Sequence, residues 1–359
     1  MMKSYCFPST YEFTNQELSN VANNLLDGIK IKINENDYIV GNLALREGYS
    51  PHKNINSAPT EEEYQLLLKA GLLLAASQGD FAMNLTVGFP FSTYMLYRDE
   101  VRKIIGTEQT ITFDGGTFGQ AGLETKKINI AEVDVIPEIV GCITAVRSGG
   151  KYSAQGNFFM ISLGFGTCEA VVSTPSGIVN RSAVSMNGVR YAVQLFEHEL
   201  SKKFYLDLKT EHQLDVLFQE GRVTINRVRH DVADLRKKVL RMYYNDVISP
   251  RLKKAFTDDD FSKCNQMFVA GGGAYYQDLI DCIKEEFGNF LSISVYPEPE
   301  KCASHGYCLH SKSKLGNASL ANLESLDPDA FLKSSAAQLA VGLDVGNAST
   351  CVTFVECND

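Results

Sequence analysis

Three segments of this chain carry residues suited to gripping phosphates. Each is an apolar run broken by a glycine-dense turn: "ISLGFGTCE" around Gly164 and Gly166, "FVAGGGAYY" around Gly271, Gly272 and Gly273, and "GLDVGNAST" around Gly346. Glycine lets the backbone take positive φ and approach a ligand closely, so successive N–H groups can converge on a phosphate. In the second segment the turn runs into a helical pattern whose N-terminus adds partial positive charge. One such turn is ordinarily structural. Three in one chain, two of them strand–turn–strand, point to a bound nucleotide.

The elements that must position these turns alternate between strand and helix. "MMKSYCFPS" reads as a strand, and "KIKINENDYIVG" as a hairpin turning at Asn34 to Asp37. Residues 60–79 have an acidic first turn, apolar residues at helical spacing and a terminal glycine. "FAMNLTVGFP" is a buried strand, "YRDEVRKIIG" a helix, and "QTITF", "TKKINIAEVDVI" and "GCITAVRSG" three strand-like runs. From residue 155 the pattern restarts with strand–turn–strand, then a long helical region over 188–256, broken near 205–225. A strand, glycine loop and helix follow, then the strand "LSISVYPEP". Residues 315–338, rich in Ser, Asn, Ala and Asp, read as a linker with at most a short helix. Two halves with similar openings argue an α/β protein of two related domains.

The bulk numbers agree. At 359 residues, 44% of them hydrophobic, the chain can bury roughly three quarters of its unfolded surface. Acidic residues outnumber basic ones, 43 to 34, and the net charge of -9 disfavours direct nucleic-acid binding. Nine scattered cysteines read as reduced thiols of a cytoplasmic protein. The start lacks a signal-peptide pattern, and apolar stretches fall short of the ~20 residues of a membrane span.

Taken together, the motifs resemble the superfamily of actin, the heat-shock chaperones and the sugar kinases. "GLDVGNASTCVTF" is similar to its first phosphate loop, "SLGFGT" to the second and "FVAGGGA" to its adenosine loop. "VIPEIVGCITAV" and, more loosely, "CASHGYCLH" resemble its two interdomain connections. "LTVGFPFSTYMLYRDEVRKIIG" followed by "INIAEVDVIPEIVG" looks most like the prokaryotic actin-like ATPases of the ParM/StbA plasmid-segregation type and their archaeal actin relatives. The resemblance runs from Phe7 to the end, the linker excluded. It implies two related actin-like, ribonuclease H-like domains around a nucleotide cleft: 1–138 with 305–359, and 139–304.

In that family the first phosphate loop precedes a strand ending in Phe-Pro-Ser. Here "CFPS" lies at residues 6–9 and the loop lies at the other end. Joining Asp359 to Met1 restores the family order, so the resemblance implies a circular permutation, with the old ends bridged by residues 315–338.

The resemblance also assigns roles. Asp344 would hold magnesium through water, and Gly346, Asn347, Ala348 and Ser349 would donate N–H groups to the phosphates of ATP. Ser162, Gly164, Phe165, Gly166 and Thr167 would form the second phosphate loop, and Gly271, Gly272, Gly273 and Ala274 would pass beside the adenosine. Glu138, after Pro137, would orient the attacking water, positioning being what phosphoryl transfer asks of a protein. Two positions depart from the family pattern. Ser162 stands where an Asp is usual, and a hydroxyl cannot supply that charge near magnesium; Cys351 stands where many members have Lys.

The expected function is an ATP hydrolase, weakened by Ser162, that self-associates into filaments for plasmid segregation or intracellular positioning, with an adaptor protein as a further partner. The alternatives are a non-polymerising nucleotide-binding regulator and a small-molecule kinase. Two stretches are read as structural. Cys302, His305, Cys308 and His310 lie too close in sequence to wrap a zinc ion well. The ten Lys and Arg of residues 222–254 accompany Val232, Leu235, Val239 and Met242 at helical spacing, giving one buried and one basic face.

Overall fold

The structure, a computed structural model, describes residues 1–54, 58–148, 154–204, 211–225, 227–325 and 338–357, apart from the side chains of 211 and 316–325. The chain divides into two compact units, Met1–Ser153 with Lys301–Asp359, and Ala154–Glu300. Among the described residues no helix is long and apolar enough to cross a membrane.

The first unit opens with β1 (Lys3–Pro8), β2 (Thr10–Phe13), the hairpin β3 (Lys30–Ile33) and β4 (Asn36–Val40), α1 (Asn42–Glu47) and β5 (His52–Lys53). Next come α2 (Glu62–Ala76), β6 (Ala82–Phe89), α3 (Tyr94–Ile105), β7 (Glu108–Asp114), β8 (Leu123–Pro137) and α4 (Glu138–Ser148). The second unit contains β9 (Phe158–Leu163), β10 (Thr167–Thr174), β11 (Gly177–Ile178), β12 (Val184–Asn187), α5 (Arg190–Phe204), α6 (Glu211–Glu220), β13 (Arg222–Ile225) and β14 (Val228–Asp231). It continues through α7 (Ala233–Tyr243), α8 (Ser249–Ala255), α9 (Asp258–Lys263), β15 (Gln266–Ala270), α10 (Gln277–Phe287) and β16 (Ser292–Val295). The chain then returns to the first unit as α11 (Cys302–Ser325), β17 (Gln338–Val345) and β18 (Ser349–Cys357).

The sheet of the first unit runs β1-β18-β17-β6-β8-β7-β3-β4-β2-β5. β17, β6 and β8 are parallel at its centre, and β17 is buried along nearly its whole length, as a strand covered on both faces must be. The last two strands of the chain thus lie between its first strand and β6. β8 changes character along its length: its first half alternates exposed and buried residues against antiparallel β7, and its second half joins the parallel core. α2 is apolar almost all round and is buried over the sheet; a methyl on Gly71 would lie 2.5 Å from Leu343 Cδ1.

The second unit has the sheet β11-β10-β9-β15-β16, with β12 on β10. β9 is fully buried between antiparallel β10 and parallel β15. Phe159 packs against Phe256 and Phe261 at ring-centroid distances of 4.6 and 4.9 Å, tying this sheet to α8 and α9.

Four expectations from the sequence are corrected. "GCITAVRSG" is helix α4, not a strand; Ile139, Cys142, Ile143 and Val146 follow helical spacing and all are buried. The region 188–256 is not one helix with a break at 205–225. α6 occupies part of the supposed break, and a hairpin, β13–β14, interrupts the helical run, entered through Gly221 at φ +66° and turned by Arg227 in the same conformation. Residues 315–325 continue helix α11 rather than starting a linker, and 326–337 lie outside the described residues. Finally, seven cysteines are free but Cys6 and Cys351 form a disulfide, because they are directly opposed partners in the β1–β18 ladder.

Candidate functional site

In the first unit the β17–β18 turn is tight: Val345 opposes Thr350, and the Gly346 N–H donates to the Ser349 carbonyl at 3.1 Å. Residues 346–349 stay partly exposed while the strands on either side are buried. Asp344, one residue before the strand ends, and Glu138, the first residue of α4, come together at this end of the sheet. The Asp344 carboxyl is held well above the usual carboxylate range, first by loss of solvent and then by the nearby Glu138 charge. Burial and, second to it, the Asp344 charge likewise raise the Tyr64 hydroxyl. The Cys142 thiol is pushed up by its hydrogen bond with Cys302 and by burial, with further contributions from Glu138 and Asp344. Asp344 and Glu138 thus form a pair of carboxyl groups beside a glycine turn.

A second layer fixes the turn. The Ser9 N–H donates to the Ala348 carbonyl at 2.9 Å, and Ser9 Oγ lies 2.8 Å from Thr350 Oγ1. Asn347 Nδ2 donates to the Asn54 carbonyl at 3.2 Å. The buried strand end "FPS" therefore braces the turn from the neighbouring strand β1.

In the second unit Gly164, Phe165, Gly166 and Thr167 form the β9–β10 turn. Its carbonyls are taken by the segment leading into α5: Gly188 donates to Gly166, Val189 to Gly164 and Arg190 to Phe165, at 2.9 to 3.1 Å. A methyl on Gly188 would sit 2.4 Å from the Phe165 oxygen, so only glycine fits this clasp. The triple-glycine turn packs on the same strand end. Gly271, at φ +81°, would carry a methyl 2.5 Å from the Leu163 oxygen, and its N–H donates to Pro299 at 2.8 Å. Gly272–Tyr275 then form a short 3-10 turn before α10, leaving Tyr275 exposed. Ser162, Gly164–Thr167 and Gly271–Ala274 are thus assembled in this unit, as Asp344, Gly346–Ser349 and Glu138 are in the other.

Sequence reading missed Glu169. It is fully buried, directly opposite Ser162 in the β9–β10 ladder, and accepts a hydrogen bond from Ser185 Oγ at 2.6 Å. Its signal was a lone carboxylate in the apolar run "TCEAVVST"; only the hairpin register reveals what it faces.

The two stretches read as structural are accounted for. Cys302 and Cys308 are buried on α11, His305 bonds Ser4 Oγ at 3.0 Å, and His310 bonds Asp134 at 2.6 Å. Among the described residues no group of three or more His, Cys, Asp or Glu is placed to hold a metal ion. On the basic stretch, Arg241 pairs with Glu285, Lys238 with Glu199 and Lys253 with Glu286, so much of its charge is neutralised within the unit. Val239, Leu240 and Tyr243 form the buried face of α7; Leu235 and Met242 are only partly buried.

Comparison with known proteins fits this architecture. Residues 2–141 match the family model described as the N-terminal domain of actin-like proteins. The chain has the actin-like fold. It is similar to ParM from a Clostridium botulinum filament, with a TM-score of 0.73 and 19% identity over 86% of this chain and 92% of that one. Against the archaeal actin homolog Ta0583, solved in complex with ADP, the TM-score is 0.64 at 17% identity, with the same coverage of each chain. Against Bacillus thuringiensis ParM with ATP it is 0.54 at 15% identity, over 90% and 93%. No curated protein matches the sequence. In actin-like terms, the first unit carries the matched N-terminal domain, and the turn before β18 lies in the same sheet.

Proposed function

We propose that this chain is an actin-like ATPase that binds ATP and assembles into filaments. The observation that carries the reading is the Asp344–Glu138 pair. Asp344, shielded from solvent, feels the charge of nearby Glu138, and such a pair beside a backbone turn suits a hydrated divalent cation and the phosphates it accompanies. Asp344 would hold magnesium through water, and the bound ion would neutralise charge on the phosphate oxygens.

The other roles fall to this chain's own groups. The N–H groups of Asn347, Ala348 and Ser349 grip the β- and γ-phosphates, while Gly346, expected to join them, closes the turn with its own N–H on the Ser349 carbonyl. Gly164, Phe165, Gly166 and Thr167 serve as a second phosphate loop, and Gly271, Gly272, Gly273 and Ala274 pass beside the adenosine, with exposed Tyr275 next to them. Glu138 accepts a hydrogen bond from the attacking water and aligns it. Similarity in fold to a filament-forming ParM supports head-to-tail self-association, a contact that extends indefinitely because it does not close. The biological task is plasmid segregation or positioning, with an adaptor linking filament to cargo. The strand order β1-β18-β17-β6 supports reading the chain as a circularly permuted member.

Sedimentation and electron microscopy with and without Mg-ATP test the reading; soluble monomers at every protein concentration would reject polymerisation. A second reading, a nucleotide-binding regulator with slow turnover, is favoured by Ser162, whose hydroxyl supplies no charge at the second phosphate loop. Phosphate release below one turnover per hour with tight ATP binding would select it.

A further inference from the structure

Asn54 follows β5 and is 1% exposed. Among the described residues, neither Oδ1 nor Nδ2 of its buried carboxamide has a hydrogen-bond partner. Its backbone, by contrast, is fixed at both ends to the phosphate turn of the first unit. The Asn54 N–H donates to Ser9, whose own N–H donates to Ala348, and the Asn54 carbonyl accepts from Asn347 Nδ2. A buried donor and acceptor left without partners is destabilising, and proteins rarely keep one unless something else satisfies it. Asn54 lies outside the strands, its backbone tied to Asn347 directly and to Ala348 through Ser9, so a partner for the amide can enter with whatever occupies the turn.

We propose that Asn54, tethered to Asn347 and Ala348, is the contact by which this turn distinguishes a triphosphate from a diphosphate. The inference rests on the nucleotide reading above. A carboxamide offers a donor and an acceptor side by side, matching a phosphate oxygen together with a water bonded to it. The β-phosphate, common to ATP and ADP, engages the turn's own N–H groups. A side-chain contact from outside the turn falls to the phosphate that ATP alone carries. Release of the Asn347 clip as the turn fills would bring the amide into play.

The test is titration calorimetry of ATP and of ADP, each with magnesium, on the wild-type chain, Asn54→Leu and Asn54→Asp, with thermal unfolding recorded alongside. In Asn54→Leu the affinity for ATP should fall tenfold or more while that for ADP changes less than twofold. Asn54→Asp keeps the volume, adds a charge facing the terminal phosphate, and should shift the ratio the same way; it decides the matter if the leucine variant does not fold. An unchanged ATP-to-ADP ratio in a folded variant overturns the proposal and assigns the amide to an internal water. Wild-type protein that binds neither nucleotide overturns it together with the proposed function, and so separates the two failures.

Discussion

Gly306 of α11 rests on the backbone of Gly141 in α4: a methyl on Gly306 would lie 1.7 Å from the Gly141 oxygen. The same crossing holds Tyr307, whose ring would meet a methyl on Gly141 at 2.3 Å and whose hydroxyl would meet one on Gly88 at 1.8 Å. Three glycines thus make room for one buried tyrosine and one helix contact, and α4 carries Glu138 at its first turn. Gly306→Ala can be accommodated only by separating the helices. It should cost about 1–3 kcal/mol, the usual range for overpacking, and lower the thermal midpoint. Gly156→Ala, where a methyl meets nothing within 4 Å, should stay within about 0.5 kcal/mol in the same assay.

In the proposed ATPase, Asp344 and Glu138 trade stability for chemistry. With no cation between them their charges repel, so Asp344→Asn should raise the thermal midpoint of the nucleotide-free protein while weakening Mg-ATP binding by at least tenfold. Glu138→Gln keeps the shape and loses the base. It should leave ATP affinity within about threefold and slow phosphate release by roughly 10²–10⁴, the range typical of a positioned acid or base. Scanning calorimetry and single-turnover phosphate release separate the two effects.

Ser162 cannot simply be converted back to the usual aspartate. An Asp there would face buried Glu169 directly across the ladder, and like charges so placed destabilise a sheet. Ser162→Asp alone should lower the melting temperature without raising phosphate release. Ser162→Asp combined with Glu169→Gln should recover the midpoint and increase release. Equal activity in the single and double variants would show that the two positions do not couple.

The parts of this fold legible in the sequence are those set by local chemistry. Glycines 164, 166, 271–273 and 346 could be placed at strand ends because apolar runs precede them and few other residues take such turns. α4 was misread because a short apolar run such as "GCITAV" suits a buried strand as well as a buried helix; its identity follows from packing on α11. The hairpin at 222–231 hid among lysines and arginines that continue into α7 with no change of composition. Glu169 depends on hairpin register, and Asn54 and the Cys6–Cys351 bond on segments 293 and 345 residues apart, which no local window carries.

Acid should loosen the second unit through one identifiable pair. Asp260, buried in the capping box of α9, accepts two bonds from Arg181 at 2.7 and 2.9 Å, and chiefly through this its carboxyl is lowered to about 2. An unfolded aspartate titrates near ~3.9. The folded value is the lower, so the contribution is complete above the unfolded value and is lost as pH falls from about 4 through about 2. Arg181→Ala should therefore reduce stability at neutral pH and flatten the loss over that window, as followed by circular dichroism during acid titration.

The disulfide makes a countable prediction. Unfolded without reductant, the chain should expose seven thiols to a thiol reagent, and nine after reduction. Cys6 and Cys351 are separated by 345 residues, so the bond closes most of the chain into one loop. Reduction should lower the stability by an amount of order 2–4 kcal/mol. Cys6→Ser should reproduce that loss and make it insensitive to reductant.

The proposed permutation can be tested by reversing it. β1 and β18 are antiparallel neighbours with Lys3 opposite Phe354, so the chain's two ends lie at the same end of one strand pair. Joining Asp359 to Met1 places only residues 355–359 and 1–2 between those partners, a loop short enough to close a hairpin at small entropic cost. A chain so joined and opened between Ser325 and Gln338 would begin with β17 and run directly through the phosphate turn into β18 and β1. It should fold with a midpoint within a few degrees of the original and bind Mg-ATP within about threefold. If it is insoluble, or folds and loses ATP alone, the existing order of segments is a requirement of this protein and not a rearrangement of an older one.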